Sequence, residues 1–324
     1  MPDTTRPNPE VDTLLGQAEP DVLERLRSIG DLSITDENLA TMRDQPIRRQ
    51  RPLSDAVERI DHRVPGPAGA PDVVVRVHRP AGTTDTLPCV YSMHGGGYVM
   101  GSYLGNDSRF DAWCPELGCV GVSVDYRLAP ETPFPGPLED CYSGLKWVHE
   151  HAGELAVDPL RIGVMGGSAG GGLAAGLSLL ARDRAEIPIA FQLLTYPMLD
   201  DRQITPSSHV ETPIWGPDNN RYAWTAYLGE ACGSDHVSPY AAATRASDLT
   251  GLPPAFVMVG DVDGLLDEDI AYARRLLAAG VPTELHILAG APHAFDSMMP
   301  DTKLADRARH TVEDWLKARL HPQT

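Results

Sequence analysis

Lysine is nearly missing from this chain of 324 residues: Lys146, Lys303 and Lys317 are the only three. Arginine supplies almost all the positive charge and is outnumbered, since 27 basic residues stand against 45 acidic ones for a formal net charge of −18. So acidic a chain is repelled by nucleic acid and by anionic membrane surfaces, which argues against both as partners. Cysteine is also sparse. Cys89, Cys114, Cys119, Cys141 and Cys232 are odd in number and irregular in spacing, with no C-x-x-C pair to suggest a metal or redox centre. His149 and His151 stand two apart in a helical stretch, and so face different ways rather than toward one ion. The chain shows no basic segment followed by an apolar core, as a secretory signal has, no apolar run of membrane-spanning length and no internal repeat. The expectation is a soluble, cytoplasmic protein with reduced thiols and no metal.

What is present is enough apolar residue, 42%, to fill a sizeable core. Residues 1–50 read as a helical arm: "PDVLERLRSIG" repeats apolar residues at helical spacing up to Gly30, and "TDENLATMRD" follows with Thr35 placed as a cap. A hairpin comes next, "VERIDHRV" and "DVVVRVHRP" around a Pro/Gly turn. Strands then alternate with helices to the end of the chain, as in a mostly parallel sheet covered on both faces. Residues 200–250 interrupt the rhythm. They form an unusually long connection carrying Trp215, Tyr222, Trp224, Tyr227 and Tyr240. It reads as an inserted cap or lid over the carboxyl end of the sheet, with a satellite core of packed aromatics as the alternative. The division expected is an N-terminal cap segment over 1–50, a core over 51–199 and 251–324, and an inserted cap over 200–250.

The stretch with most chemical content is "RIGVMGGSAGGG", residues 161–172. A phosphate-binding loop does not suit it, because Gly170, Gly172 and Ala175 fall inside the helix after the turn and no P-loop lysine follows. Close helix packing accounts for Gly171 and Gly172 but not for the serine. Gly166-Gly167-Ser168-Ala169-Gly170 is G-x-S-x-G between a strand and a helix, a nucleophile elbow. The sharp turn lifts the serine oxygen above the sheet, and the Ala169 N–H at the helix start can stabilise an oxyanion. Composition alone gives this pattern in roughly one such chain in seven, so it needs partners.

They are present. His94-Gly95-Gly96-Gly97 follows a strand and can turn backbone N–H groups toward one point, with His94 itself a structural residue fixing the loop. Among the histidines after Ser168, His286 alternates with apolar residues in a strand, His310 lies on an amphipathic helix, His321 is in the tail, and His209 and His236 fall in the insertion. His293 lies in a loop just past a strand's carboxyl end, where catalytic groups gather in open α/β sheets. The acid that orients it comes from "VGDVDGLLDED". There Asp267, Glu268 and Asp269 suit the first turn of a helix, and spacing leaves both Asp261 and Asp263 open.

Together these motifs resemble the hormone-sensitive-lipase-like carboxylesterases, with "HGGGY", "DYRLAPETPFPGPLEDCY", "GGSAGG", "DGLLDE" and "HAF" in the family's places. "PETPFPGP" and "DLTGLPPA" are similar to its heroin-esterase-type subgroup. The resemblance covers about residues 50–320. It implies an α/β-hydrolase fold with a helical cap and a Ser168–Asp263–His293 triad, the aspartate opening the acid motif. It also implies an oxyanion hole from the N–H groups of Gly96, Gly97 and Ala169, no cofactor, and a small ester of a short acyl chain as substrate. Tyr98 and Trp215 are the residues expected near that substrate; a homodimer through the last strand is compatible with the sequence but is not read from any motif in it. Gly167, Gly264, Leu266 and Ala294 depart from the family's usual residues without removing a triad side chain. A ligand receptor on this fold would lack a triad member, and a lyase or dehydratase of this type would have threonine for Ser168.

Overall fold

The computed structural model describes residues 18–30, 32–45, 52–212 and 214–322. Eight strands form one sheet: β1 (Val57–Val64), β2 (Val73–Pro80), β3 (Leu87–Met93), β4 (Val120–Asp125), β5 (Val157–Gly167), β6 (Gln192–Thr195), β7 (Ala255–Val262) and β8 (Thr283–Pro292), in the spatial order β1-β2-β4-β3-β5-β6-β7-β8. β2 runs antiparallel to β1 and β4, and the rest of the sheet is parallel. The order reverses between β3 and β5, so the loops after these two strands face each other at the carboxyl edge. In open parallel sheets such a switch point is where ligands bind.

Both faces of the sheet are covered, as alternation within its strands requires. On β3, Val90 faces one cluster while Cys89, Tyr91 and Met93 face the other. The first face holds α1 (Pro20–Ser28), α3 (Asp107–Leu117) and α9 (Lys303–Leu320), and the second holds α4 (Gly136–Glu150), α5 (Ala169–Arg184) and α7 (Leu266–Ala278). α2 (Leu39–Arg43), α6 (Pro217–Leu228) and α8 (Phe295–Met298) complete the α-helices among the described residues.

The sequence expectation missed α3. Pro115 sits inside that helix and masks it, although its apolar stripe of Phe110, Trp113, Cys114 and Leu117 is buried at helical spacing. The second N-terminal helix also begins later than expected, at Leu39. Thr35 heads the turn before it, its carbonyl accepting from the N–H groups of Asn38 and Leu39.

The arm of residues 1–50 is described only in part, since 1–17, 31 and 46–50 lie outside the described residues. α1 packs on α9, with Val22 in the same apolar cluster as Val312 and Trp315. Leu32 to Ile34 are tied to the insertion instead: Asn219 accepts from the Ile34 N–H at 2.9 Å and donates to the Leu32 carbonyl at 3.0 Å. The insertion itself divides. Trp224 and Tyr227 are fully buried against Tyr98, the satellite-core alternative, whereas Trp215 faces the cavity. Among the described residues no helix is long and apolar enough to cross a membrane, and no group of three or more His, Cys, Asp or Glu is arranged to hold a metal.

Candidate active site

β5 delivers the chain to Gly167, and α5 starts at Ala169, leaving Ser168 at φ 57°, ψ −126°. A non-glycine residue there is strained, and such strain persists only when the surroundings hold it. Here the Ser168 N–H donates to the Thr195 carbonyl at 3.0 Å, and the Ser168 carbonyl accepts from Gly172 and Met198, each at 3.0 Å. Glycine at 170 is a steric requirement, because a Cβ there would run into the carbonyl oxygens of Met93 and His94. At Gly167, where the family commonly has aspartate, a side chain would meet the Tyr196 ring at 3.2 Å. Tyr196 thus stands close against the position of that departure.

Three side chains from three loops converge. Ser168 Oγ lies 2.9 Å from His293 Nε2, and His293 Nδ1 lies 2.8 Å from Asp263 Oδ2. The second Asp263 oxygen accepts the Leu265 N–H at 3.0 Å. Since a carboxylate can only accept, the proton of the neutral imidazole belongs on Nδ1, which leaves Nε2 free to accept from the serine. All three residues are buried. The imidazole is flanked by Tyr196, edge-on at 4.9 Å between centroids, and by Trp215 at 5.8 Å. Asp261, the other acid left open by spacing, does not reach the histidine. Its Oδ1 accepts the Gly290 N–H at 2.7 Å and so ties β7 to β8.

The loop after β3 lies against Ser168, and a Cβ on Gly95 would stand 2.9 Å from the Gly167 carbonyl and 3.5 Å from Ser168 Cβ. Gly96 and Gly97 have φ of 116° and 60°. The Gly96 carbonyl turns away to accept from Val99 and Met100, while no hydrogen bond among the described residues takes up the N–H of Gly96 or Gly97. The Ala169 N–H, at the first position of α5, likewise has no partner within the helix. Glycine is needed at 97 for space as well as φ, because a Cβ would meet Trp215 at 2.6 Å. His94 has the structural place expected of it. Its ring stacks on Tyr126 at 4.2 Å, its Nδ1 lies 2.8 Å from the Gly95 carbonyl, and burial lowers its pKa to about 4.

Of the two residues expected near a substrate, Trp215 lines the cavity in front of Ser168 and Tyr98 does not. Tyr98 is wholly buried, stacks on Tyr227 at 4.1 Å and donates to the Met198 carbonyl at 3.2 Å. Its positive φ of 63° turns the side chain out of the loop and into the core behind it. The cavity measures about 920 Å³ and runs from Leu32, Ile34 and Met42 of the N-terminal arm past Ser168 and His293. Tyr196 also lines it and was missed by motif reading. The signal was its place just after a parallel strand, at the carboxyl edge.

Residues 90–297 match a family described by the alpha/beta hydrolase fold. Carboxylesterase NlhH of Mycobacterium tuberculosis is 41% identical over 232 residues, covering 70% of this chain and 72% of that protein. An arylesterase of Saccharolobus solfataricus is 34% identical over 227 residues, covering 69% and 73%. Among solved structures, a bacterial heroin esterase superposes with a TM-score of 0.87 at 38% identity, covering 95% of this chain and 99% of that one. With this likeness over most of its length, an elbow serine and a glycine loop meeting at the switch point, the chain belongs to the hormone-sensitive-lipase-like carboxylesterases of the α/β-hydrolase fold.

Proposed function

We propose that this protein hydrolyses small carboxylic esters through an acyl-enzyme formed on Ser168. The observation that carries the reading is the unbroken hydrogen-bonded chain from Ser168 Oγ through His293 to Asp263. Ser168 attacks the ester carbonyl carbon as His293 Nε2 takes its proton, and the carbonyl oxygen becomes an oxyanion. The N–H groups of Gly96, Gly97 and Ala169 receive that oxyanion, each worth on the order of 3 kcal/mol in the transition state. Collapse expels the alcohol, which leaves with the proton held by His293. Water then adds to the acyl-serine, again with His293 as base, and releases the carboxylic acid. Asp263 holds the imidazole in the productive tautomer and offsets the positive charge it carries between the two proton transfers.

The triad and these donors suffice for ester hydrolysis without a metal or organic cofactor. The N-terminal arm, laced to α6 through Asn219, and the Trp215 segment serve as the cap that roofs the site. Replacing Ser168 with alanine is expected to lower hydrolysis of p-nitrophenyl acetate by at least about 10⁴-fold. A fluorophosphonate should label the parent protein and not this variant. Full activity in Ser168→Ala, or label on another residue, overturns the assignment. On the acyl side the expectation remains a short chain, tested by a p-nitrophenyl series from acetate to decanoate.

A further inference from the structure

Arg43, the last residue of α2, reaches from the N-terminal arm to the loop that carries Gly96 and Gly97. Its Nε donates to the Val99 carbonyl at 2.7 Å, and its Nη2 donates to the Ala129 carbonyl, also at 2.7 Å. Glu131 grips the outer edge of the guanidinium, accepting from Nη1 at 2.6 Å and from Nη2 at 2.8 Å. A planar fork fits that bidentate arrangement, and an ammonium does not. Val99 and Ala129 have no exposed surface, so their carbonyls cannot turn to water instead. The segment that supplies Ala129 and Glu131 is itself anchored. Tyr126 Oη donates to the His94 carbonyl at 2.7 Å, and Arg127 donates to the buried Asp140 through Nε at 2.8 Å and Nη2 at 2.7 Å.

The bond to Val99 has a consequence two peptide planes away. The Val99 carbonyl shares its plane with the Met100 N–H, which donates to the Gly96 carbonyl at 3.0 Å. The Gly96 carbonyl in turn shares its plane with the Gly97 N–H. Peptide units are rigid, so holding the Val99 carbonyl sets the Met100 N–H, and that N–H sets the plane whose other face is the Gly97 donor. Successive hydrogen bonds of such a chain also polarise one another in the same direction, and here the first donor is a cation. We infer that Arg43 is a positioning residue for the oxyanion hole, aiming the Gly97 N–H through the Val99–Met100 and Gly96–Gly97 peptides. The inference rests on the proposed role of Gly97. It also ties the roof of the site to its chemistry, since Met42 beside Arg43 and Met100 beside Val99 both line the cavity.

The test is steady-state hydrolysis of p-nitrophenyl acetate by the full chain, with kcat referred to the sites that take up a fluorophosphonate on long exposure, so that a smaller folded fraction does not enter. Arg43→Ala is expected to lower kcat by between about 10- and 100-fold, with KM changed by less than about threefold. Arg43→Lys keeps the charge but cannot span both carbonyls and the carboxylate, so a loss of about five- to tenfold is expected; it carries the test if the alanine variant does not fold. Tyr222→Phe releases another tether of the arm, the bond to Asp36 at 2.8 Å, without touching the loop, and should leave kcat within about threefold. Combining either Arg43 variant with Gly97→Ala should fall short of the product of the two separate losses by at least about fivefold, because both act on one N–H. An unchanged kcat in both Arg43 variants, a loss confined to KM, an equal loss in Tyr222→Phe, or losses that multiply fully with Gly97→Ala overturns the inference. A parent protein that leaves p-nitrophenyl acetate intact counts instead against the esterase reading, so the two failures are separable.

Discussion

Asp263 divides its carboxylate between two partners, one oxygen 2.8 Å from His293 Nδ1 and the other 3.0 Å from the Leu265 N–H. The backbone bond fixes the carboxylate plane, and the plane fixes the imidazole. Asp263→Asn keeps the shape but can present an N–H to Nδ1, which favours the wrong tautomer. The expected loss in kcat is on the order of 10⁴-fold, with KM little changed. Asp261→Asn removes only a tie between β7 and β8, so its loss is expected to stay within about tenfold. Steady-state kinetics on the two variants settles which acid serves the histidine, and equal losses would count against Asp263.

The same pair of aspartates marks how far the sequence could be read. Asp261 stands at the end of β7 and Asp263 just after it, and only the fold tells that Asp261 faces Gly290, 29 residues on, while Asp263 faces His293. The elbow, the glycine loop and the histidine were legible because their chemistry demands local residue types, glycine beside a strained turn above all. Tyr98 was not, since its direction depends on a positive φ that its residue type does not announce. α3 was hidden by the proline inside it. Asp267, Glu268 and Asp269 were legible as first-turn residues of α7, but the burial of Glu268 and Asp269 was not.

Gly97 lies hard against Trp215, where a Cβ would stand 2.6 Å from the indole, and its N–H is one of the proposed oxyanion donors. Gly97→Ala must move the Trp215 ring, which approaches His293, and must also hold alanine at φ 60°. Misdirecting one donor is expected to lower kcat by about 10²–10³-fold. A Trp215→Ala change combined with it relieves the clash but not the φ, so only partial recovery is expected. Pre-steady-state measurement of acylation reads the effect at the step where it arises. An unchanged acylation rate in Gly97→Ala would remove its N–H from the oxyanion hole.

His94 makes stability sensitive to acid. Its Nδ1–H is donated to the Gly95 carbonyl, its Nε2 has no partner among the described residues, and burial pushes its pKa down to about 4. The unfolded chain titrates near 6.5. Between those values the unfolded state binds a proton that the folded state does not, so stability is fully present above pH 6.5 and is lost as pH falls toward 4. The slope is about 1.4 kcal/mol per pH unit, on the order of 3 kcal/mol across the window. His94→Gln should be less stable than the parent near pH 7.5, and the gap should narrow by roughly 2 kcal/mol at pH 5. Urea unfolding at the two pH values checks this, and a constant gap would mean that His94 does not titrate in that window.

Asp269 presents the opposite sign. It is fully buried in the first turn of α7, and among the described residues neither carboxylate oxygen has a hydrogen-bond partner. Its charged neighbours are acids as well. Glu268 uses one oxygen to accept from the N–H groups of Leu199 and Asp200, and Asp263 lies on the same side. Burial first, then the charges of Glu268 and Asp263, raise the Asp269 pKa well above its ordinary value. A raised carboxyl pKa means that the folded state keeps a proton which the unfolded chain gives up near pH 4, so stability falls as pH rises from there toward the folded pKa. Asp269→Ala removes the buried polar group and supplies the best helix former. It is expected to stabilise the protein at pH 8 by on the order of 1–3 kcal/mol, and by less at pH 5, where less of that loss has accrued. Asp269→Asn keeps the volume without the titration, so its stability should lose the alkaline decline even if the amide gains no partner. Thermal unfolding at pH 5 and pH 8 reads both variants. If Asp269→Ala destabilises equally at the two pH values, the carboxyl is bonded in the folded protein and does not carry the alkaline cost assigned to it.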